Sequence, residues 1–197
     1  MIKVVIFDAD GVLVFGDRKF SDTLAEKHGI PLEKTHPFFT GPFQKCLVGD
    51  LDLKKVIKPY LKKWGLESDL DEFLDYWFSL ESKTDKELIK YIQELRKNGI
   101  LCFLATNNEK HRFKYIINNM GLSNIFDRTY ASAYLGCKKS NKDFFKKIFK
   151  DLKNIKKEEV LFIDDGIENI KVAKEFGINA ELYTTFESFK EKMKQCL

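Results

Sequence analysis

Cysteine, arginine and long apolar runs are all scarce in this chain. The four cysteines, Cys46, Cys102, Cys137 and Cys196, form no C-x-x-C pair. Neither a zinc ribbon nor a disulfide scaffold is therefore expected; free thiols in a reducing cytoplasm are. Only Arg18, Arg96, Arg112 and Arg128 are arginine among 34 basic residues, set against 30 acidic ones for a net charge of +4. Nucleic-acid readers cluster arginine for bidentate contacts. Here lysines alternate with acids along helical stretches, which predicts solvated faces and no nucleic-acid partner. The longest apolar runs, such as Ile100–Ala105, reach six residues, whereas a transmembrane helix needs about 20. No membrane partner is expected. The N-terminal run meets an acid at Asp8 and lacks the apolar core of a signal peptide, so a cytoplasmic location is expected. Internal repeats and low-complexity linkers are lacking too.

What is present suits a globular fold. The 197 residues are 44% hydrophobic and 32% charged, enough for one domain with a modest insertion. Ile2–Phe7 is an apolar, β-branched run of the kind buried on both faces of a parallel sheet. Ile100–Ala105, Arg128–Ala131, Val160–Ile163 and Ala180–Tyr183 read as further strands. Between them lie helical patterns. Thr84-x-x-Glu87 offers a capping box ahead of Leu88, Ile89, Ile92 and Leu95. Phe113, Ile116, Ile117 and Met120 share a second face, and Ser140 precedes a third with Phe145, Ile148, Phe149 and Leu152. A short helix over Ile167–Phe176 ends at Gly177. This alternation predicts an α/β fold with a doubly wound, Rossmann-like parallel sheet.

Residues 16–83 break the alternation. They hold amphipathic helical stretches and no convincing strand, with Pro59 expected to kink or split one of them. His36-Pro37 and Gly41-Pro42 are expected to interrupt the stretch further. The reading is a core of residues 1–15 and 84–197 with a small helical cap, 16–83, inserted after the first strand. The cap is expected to sit over the catalytic rim and to move on tethers near Val14–Asp17 and Glu81–Thr84.

Ligands of open parallel sheets bind outside the carboxyl ends of the strands. At those ends stand Asp8, Asp10 and Gly11; Thr106, Asn107 and Asn108; Gly136, Lys138 and Lys139; and Asp164, Asp165 and Gly166. Repelling carboxylates on one rim call for a cation, and hard oxygen ligands suit Mg²⁺. With a lysine and a hydroxyl beside it, such a centre suits a phosphoryl group.

Phe7-Asp8-Ala9-Asp10-Gly11-Val12-Leu13 resembles the first motif of the haloacid dehalogenase-like superfamily. Leu104-Ala105-Thr106-Asn107 resembles its second, Gly136-Cys137-Lys138-Lys139 its third, and Phe162-Ile163-Asp164-Asp165 with Asn169 and Ala173 its fourth. Ser140 stands where the third motif usually has proline, and the choice of Lys139 over Lys138 rests on register. The insert is similar to the caps of the small sugar-phosphate phosphatases.

The resemblance implies a Mg²⁺-dependent phosphohydrolase acting on a small phosphorylated metabolite, such as a sugar phosphate. Asp8 is then the nucleophile that forms an aspartyl-phosphate, and Asp10 the general acid and base. The metal falls to the Asp8 carboxylate, the Asp10 carbonyl and Asp165, with Asp164 through water or as the alternative. Thr106, Asn107 and Lys139 take the phosphate oxygens. Dehalogenases of the family lack the second aspartate of the first motif, so Asp10 speaks against that chemistry. A phosphomutase using the same aspartyl-phosphate and a non-enzymatic binding protein are the alternatives. For substrate choice the cap offers Arg18, Phe43, Gln44 and Lys45, while Phe38, Phe39 and Phe43 equally suit a cap core. A monomer is expected.

Overall fold

The computed structural model describes residues 1–196, and the side chains of residues 1–194. The chain opens with β1 (Val4–Phe7), turns sharply, and forms the short β2 (Val14–Phe15). Five helices follow: α1 (Phe20–His28), α2 (Leu32–Thr40), α3 (Pro42–Cys46), α4 (Leu53–Trp64) and α5 (Leu70–Ser79). The chain returns through β3 (Lys83–Thr84) to α6 (Lys86–Lys97) and β4 (Leu101–Thr106). Next come α7 (Lys110–Lys114), a π-helical turn over Tyr115–Asn119, and β5 (Arg128–Ala131). The remainder is α8 (Ser132–Leu135), α9 (Lys142–Phe149), β6 (Val160–Asp164), α10 (Ile167–Phe176), β7 (Asn179–Leu182) and α11 (Phe186–Cys196).

The expected doubly wound sheet is present. Its strands are all parallel in the order β5-β4-β1-β6-β7. Every residue of β1 is buried, because successive side chains point to opposite, equally covered faces. Val5 and Phe7 pack with Leu88 and Ile92 of α6 and with Phe189 and Met193 of α11. Val4 and Ile6 pack with Phe144, Phe145 and Ile148 of α9 and with Ile170 of α10. Phe162, fully buried in the middle of β6, would cost about 3–5 kcal/mol if cut back to alanine.

A third apolar cluster is drawn from α1 to α5 and includes Phe20, Leu24, Phe38, Ile57, Trp64 and Trp77, with Tyr115 packed against it. The segments entering and leaving these helices are hydrogen bonded to each other. β2 and β3 run antiparallel, Val14 opposite Thr84 and Phe15 opposite Lys83, and Lys83 pairs with Asp17 at 2.5 Å. Among the described residues, no helix is long and apolar enough to cross a membrane.

Several local expectations are corrected. Thr84 does not cap α6; it is drawn into β3, and Asp85 is the cap, accepting from the Glu87 and Leu88 amides at 2.9 Å. Ser140 does not cap α9; Asn141 does, through the Asp143 amide. Pro59 neither splits nor ends α4. Both it and Lys55, whose carbonyl it leaves without a helical partner, are exposed, so the helix passes the proline on its solvent side. Pro37 likewise lies inside α2, whereas Gly41-Pro42 does separate α2 from α3. The last strand begins at Asn179 rather than Ala180 and ends at Leu182.

Candidate active site

Register brings the first carboxylates together. Phe7 stands opposite Leu104 on one side and Ile163 on the other, so Asp8 and Asp164 follow at the same level of the sheet. The Asp8 amide donates to the Ile163 carbonyl at 2.9 Å. Beyond Asp8 the chain doubles back, with the Ala9 carbonyl accepting from Leu13 and Val14 at 2.8 Å. Gly11 makes this turn at φ +83°, and a Cβ there would lie 2.1 Å from Asp165 Oδ2. Only glycine admits both the backbone angle and the approach of that carboxylate.

Lys139, rather than Lys138, reaches the carboxylates. Its Nζ lies 2.5 Å from Asp8 Oδ2 and 2.7 Å from Asp164 Oδ2, and the residue is buried. Burial alone would lower the Lys139 ammonium, but Asp8 and Asp164 outweigh it and hold it charged. Burial pushes the Asp8 carboxyl well above the usual carboxylate range; Lys139 opposes the shift and the Asp164 charge adds to it. The Asp165 carboxyl is raised as well, first by burial and then by Asp164.

Asp8, Asp164 and Asp165 each offer an oxygen within 4.8 Å of the others. One buried lysine does not balance three carboxylates. Asp164 Oδ1 accepts from the Gly166 amide at 2.7 Å and from Asn169 Nδ2 at 2.9 Å. Its fully buried Oδ2 has the ion-pair contact with Lys139 but no well-directed hydrogen bond. Excess negative charge, oxygen-only donors and spare lone pairs fit a hard divalent cation.

The flank of the site is polar and connected. Asn108 Nδ2 donates to Asp10 Oδ2 at 2.6 Å and to Thr106 Oγ1 at 2.7 Å. Thr106, accepting there, keeps its hydroxyl proton to give elsewhere. Asn107 Oδ1 accepts from the Lys139 amide at 2.9 Å, tying the loop after β4 to the lysine's own loop. The Asp10 side chain is 43% exposed, whereas that of Asp8 is 7% exposed. Asp10 lines a cleft beside the helical insert, whereas Asp8 is buried and does not line it.

The expected cap residues scatter. Phe43 lines the cleft of about 490 Å³ above Asp10. Gln44 does not line it. It accepts from Lys138 Nζ at 2.5 Å and donates to the Phe39 carbonyl at 2.6 Å, joining α3 to the third-motif loop. Lys45 is exposed on another face, near Thr40 and Leu51. Arg18 is exposed and pairs with Glu26 two helical turns on, outside the cleft. Phe38 is wholly buried in the helical cluster.

Asn108, at a strand end but with no role assigned from the sequence, joins Arg112 and Glu109, which the sequence does not mark. Glu109 caps α7, accepting from the His111 and Arg112 amides. Arg112 is buried and gives its guanidinium to the Phe78 and Glu81 carbonyls and to Asp10. The available signal was its place four residues before the buried Ile116, on the inward face of a helix.

A family model described as haloacid dehalogenase-like hydrolase matches residues 2–177. Over 187 residues the chain is 29% identical to a D-ribitol-5-phosphate phosphatase from Bacteroides thetaiotaomicron, covering 90% of this chain and 89% of that protein. The crystal structure of a HAD family enzyme from the same organism, in complex with magnesium and inorganic phosphate, superposes with a TM-score of 0.83 at 23% identity. That match covers 98% of this chain and 99% of the other. A HAD-like family hydrolase from Porphyromonas gingivalis superposes with a TM-score of 0.82 at 24% identity, covering 100% and 98%.

Proposed function

The chain belongs to the haloacid dehalogenase-like hydrolases, and we propose that within them it is a magnesium-dependent phosphatase of a small phosphorylated alcohol. The observation that carries this is the buried Lys139 held between Asp8 and Asp164, with the exposed Asp165 beside them and Asp10 on the cleft. The D-ribitol 5-phosphate of the relative supports a phosphate monoester as substrate. The magnesium and phosphate bound by the structural neighbour support the metal.

Phosphate monoesters are anionic and repel an anionic nucleophile, so the site must cancel charge and hold the reactants in line. Asp8, Asp165, the Asp10 carbonyl and, directly or through water, Asp164 would hold magnesium, which would supply charge neutralisation at the phosphoryl oxygens. Lys139 supplies a fixed positive charge from the other side. An Asp8 oxygen attacks phosphorus, forming the aspartyl-phosphate as the ester P–O bond breaks, and Asp10 gives its proton to the departing alcohol oxygen. Asp10 then takes a proton from the water that attacks the same phosphorus, which releases inorganic phosphate and restores Asp8. Thr106 donates its hydroxyl to a phosphoryl oxygen, and Asn107 keeps the Lys139 loop in register. The helices between β2 and β3, residues 16–83, act as a cap that closes over the ester and excludes water.

Asp8→Asn tests the reading, because an amide does not attack phosphorus at a useful rate. Phosphate release from a panel of monoesters should vanish while circular dichroism and cooperative unfolding persist. Activity within tenfold of the parent would remove Asp8 from the nucleophile's role. A panel member isomerised without phosphate release would turn the assignment to a mutase.

A further inference from the structure

Resting on the phosphatase reading above, we infer that the alcohol carried by the substrate phosphate is mainly hydrocarbon, aromatic or alkyl, rather than a sugar or polyol. The cleft above Asp10 has an aromatic wall of Phe20, Phe39, Phe43, Trp77 and Phe78. These rings fix one another: Phe20 stacks on Trp77 at 4.5 Å, Phe39 meets Trp77 edge-on at 5.7 Å, and Phe43 meets Phe39 at 5.6 Å. Phe39 and Phe43 are only half-buried, so part of each ring is left to the cleft.

The hydrogen-bonding groups deepest in the contact network bordering the cleft are engaged already. The Thr35 hydroxyl donates to the Leu32 carbonyl at 3.1 Å. The Glu109 carboxylate accepts from two amides of its own helix. Arg112 is committed to two carbonyls and to Asp10, and the Asn108 amide to Asp10 and Thr106. Lys19 and His36 are exposed at the mouth. Ser21, Glu81 and the Asn107 amide nitrogen remain, few partners for a polyol chain beside five aromatic rings.

A hydroxyl that leaves water without a new partner is penalised. A hydrocarbon body placed against the same rings is driven in by its release from water and by aromatic contact. The sugar phosphate expected from the sequence therefore suits this wall poorly, although the phosphate-handling rim below is indifferent to the choice.

The test is phosphate release, with Mg²⁺ present, from benzyl phosphate, hexyl phosphate and D-ribitol 5-phosphate, with acetyl phosphate as a small control. The first three are esters of primary alcohols, so their leaving groups are similar and differences report the cleft. Benzyl or hexyl phosphate should exceed D-ribitol 5-phosphate in kcat/KM by about tenfold or more. Phe43→Ser should shrink that ratio and Phe43→Leu should preserve most of it. Benzylphosphonate should compete more tightly than methylphosphonate, which reads binding without turnover. Equal use of the esters, or a preference for the polyol, overturns the inference. So does turnover of acetyl phosphate with refusal of both hydrocarbon esters, an outcome that leaves the phosphatase reading standing. Failure to turn over any ester, acetyl phosphate included, defeats the phosphatase reading and the inference with it.

Discussion

Arg112 Nη2 lies 3.3 Å from Asp10 Oδ1. The same guanidinium donates to the Phe78 carbonyl at 2.8 Å and to the Glu81 carbonyl at 2.5 Å. One side chain from α7 thus ties the end of α5 and the returning tether to the candidate acid. Lysine keeps the charge but not the planar fork. Arg112→Lys should lower kcat by about tenfold to a hundredfold, the size of one lost charged hydrogen bond of about 1.5–3 kcal/mol, with a smaller change in KM. Arg112→Ala should be worse in both kcat and melting temperature. Unchanged kcat in the lysine variant would mean that Asp10 is placed without Arg112.

The two adjacent lysines should separate cleanly. Lys139→Ala removes the charge between Asp8 and Asp164 and should cost about 10²–10³ in rate. Lys138→Ala removes only the bridge to Gln44 and should cost a few-fold at most. Steady-state phosphate release for both variants on one ester decides it; equal, mild losses would contradict Lys139's place in the chemistry.

Gly11→Ala should act on the metal. The new Cβ would occupy the space of the Asp165 carboxylate at a backbone angle unsuited to alanine. The Mg²⁺ concentration for half-maximal activity should rise about tenfold or more. A lower rate with an unaltered Mg²⁺ titration would show that Asp165 is not a ligand.

The thiols should be inert in the native protein. Burial pushes Cys46 and Cys102 up to about 12, far from the thiolate that reacts, and Cys137 is buried as well. A disulfide reagent at pH 8 should label none of the three until denaturant is added. The side chain of Cys196 lies outside the described residues. Rapid labelling of Cys46, Cys102 or Cys137, mapped by peptide analysis, would contradict this.

The buried strands were legible in the sequence because a strand covered on both faces must be a short apolar run. The acids and Thr106 were legible because they end such runs. Arg112 was not, since a charged residue at an inward helical position looks like its lysine neighbours until its partners are known. The direction of Arg18 and Lys45 was equally hidden; a place beside the tether, for Arg18, or within the proline-broken cap stretch, for Lys45, says nothing about which way a side chain points. Thr84 misled because β3 is two residues long, too short for any periodicity, and its pairing with Val14 outcompetes the cap. Asp85, one residue on, then takes the cap's place.

The pairing of Val14 with Thr84 has a consequence for what this chain can tolerate. The ends of the inserted helices lie side by side, about 5 Å apart as neighbouring strands do. The sheet therefore does not register how much chain runs between them. Closing a loop twice as long costs only about 0.6 kcal/mol more in entropy. The junction is where inserted chain can grow or shrink at little entropic cost, provided the contacts of Phe78 with Arg112 and of Gln44 with Lys138 are kept.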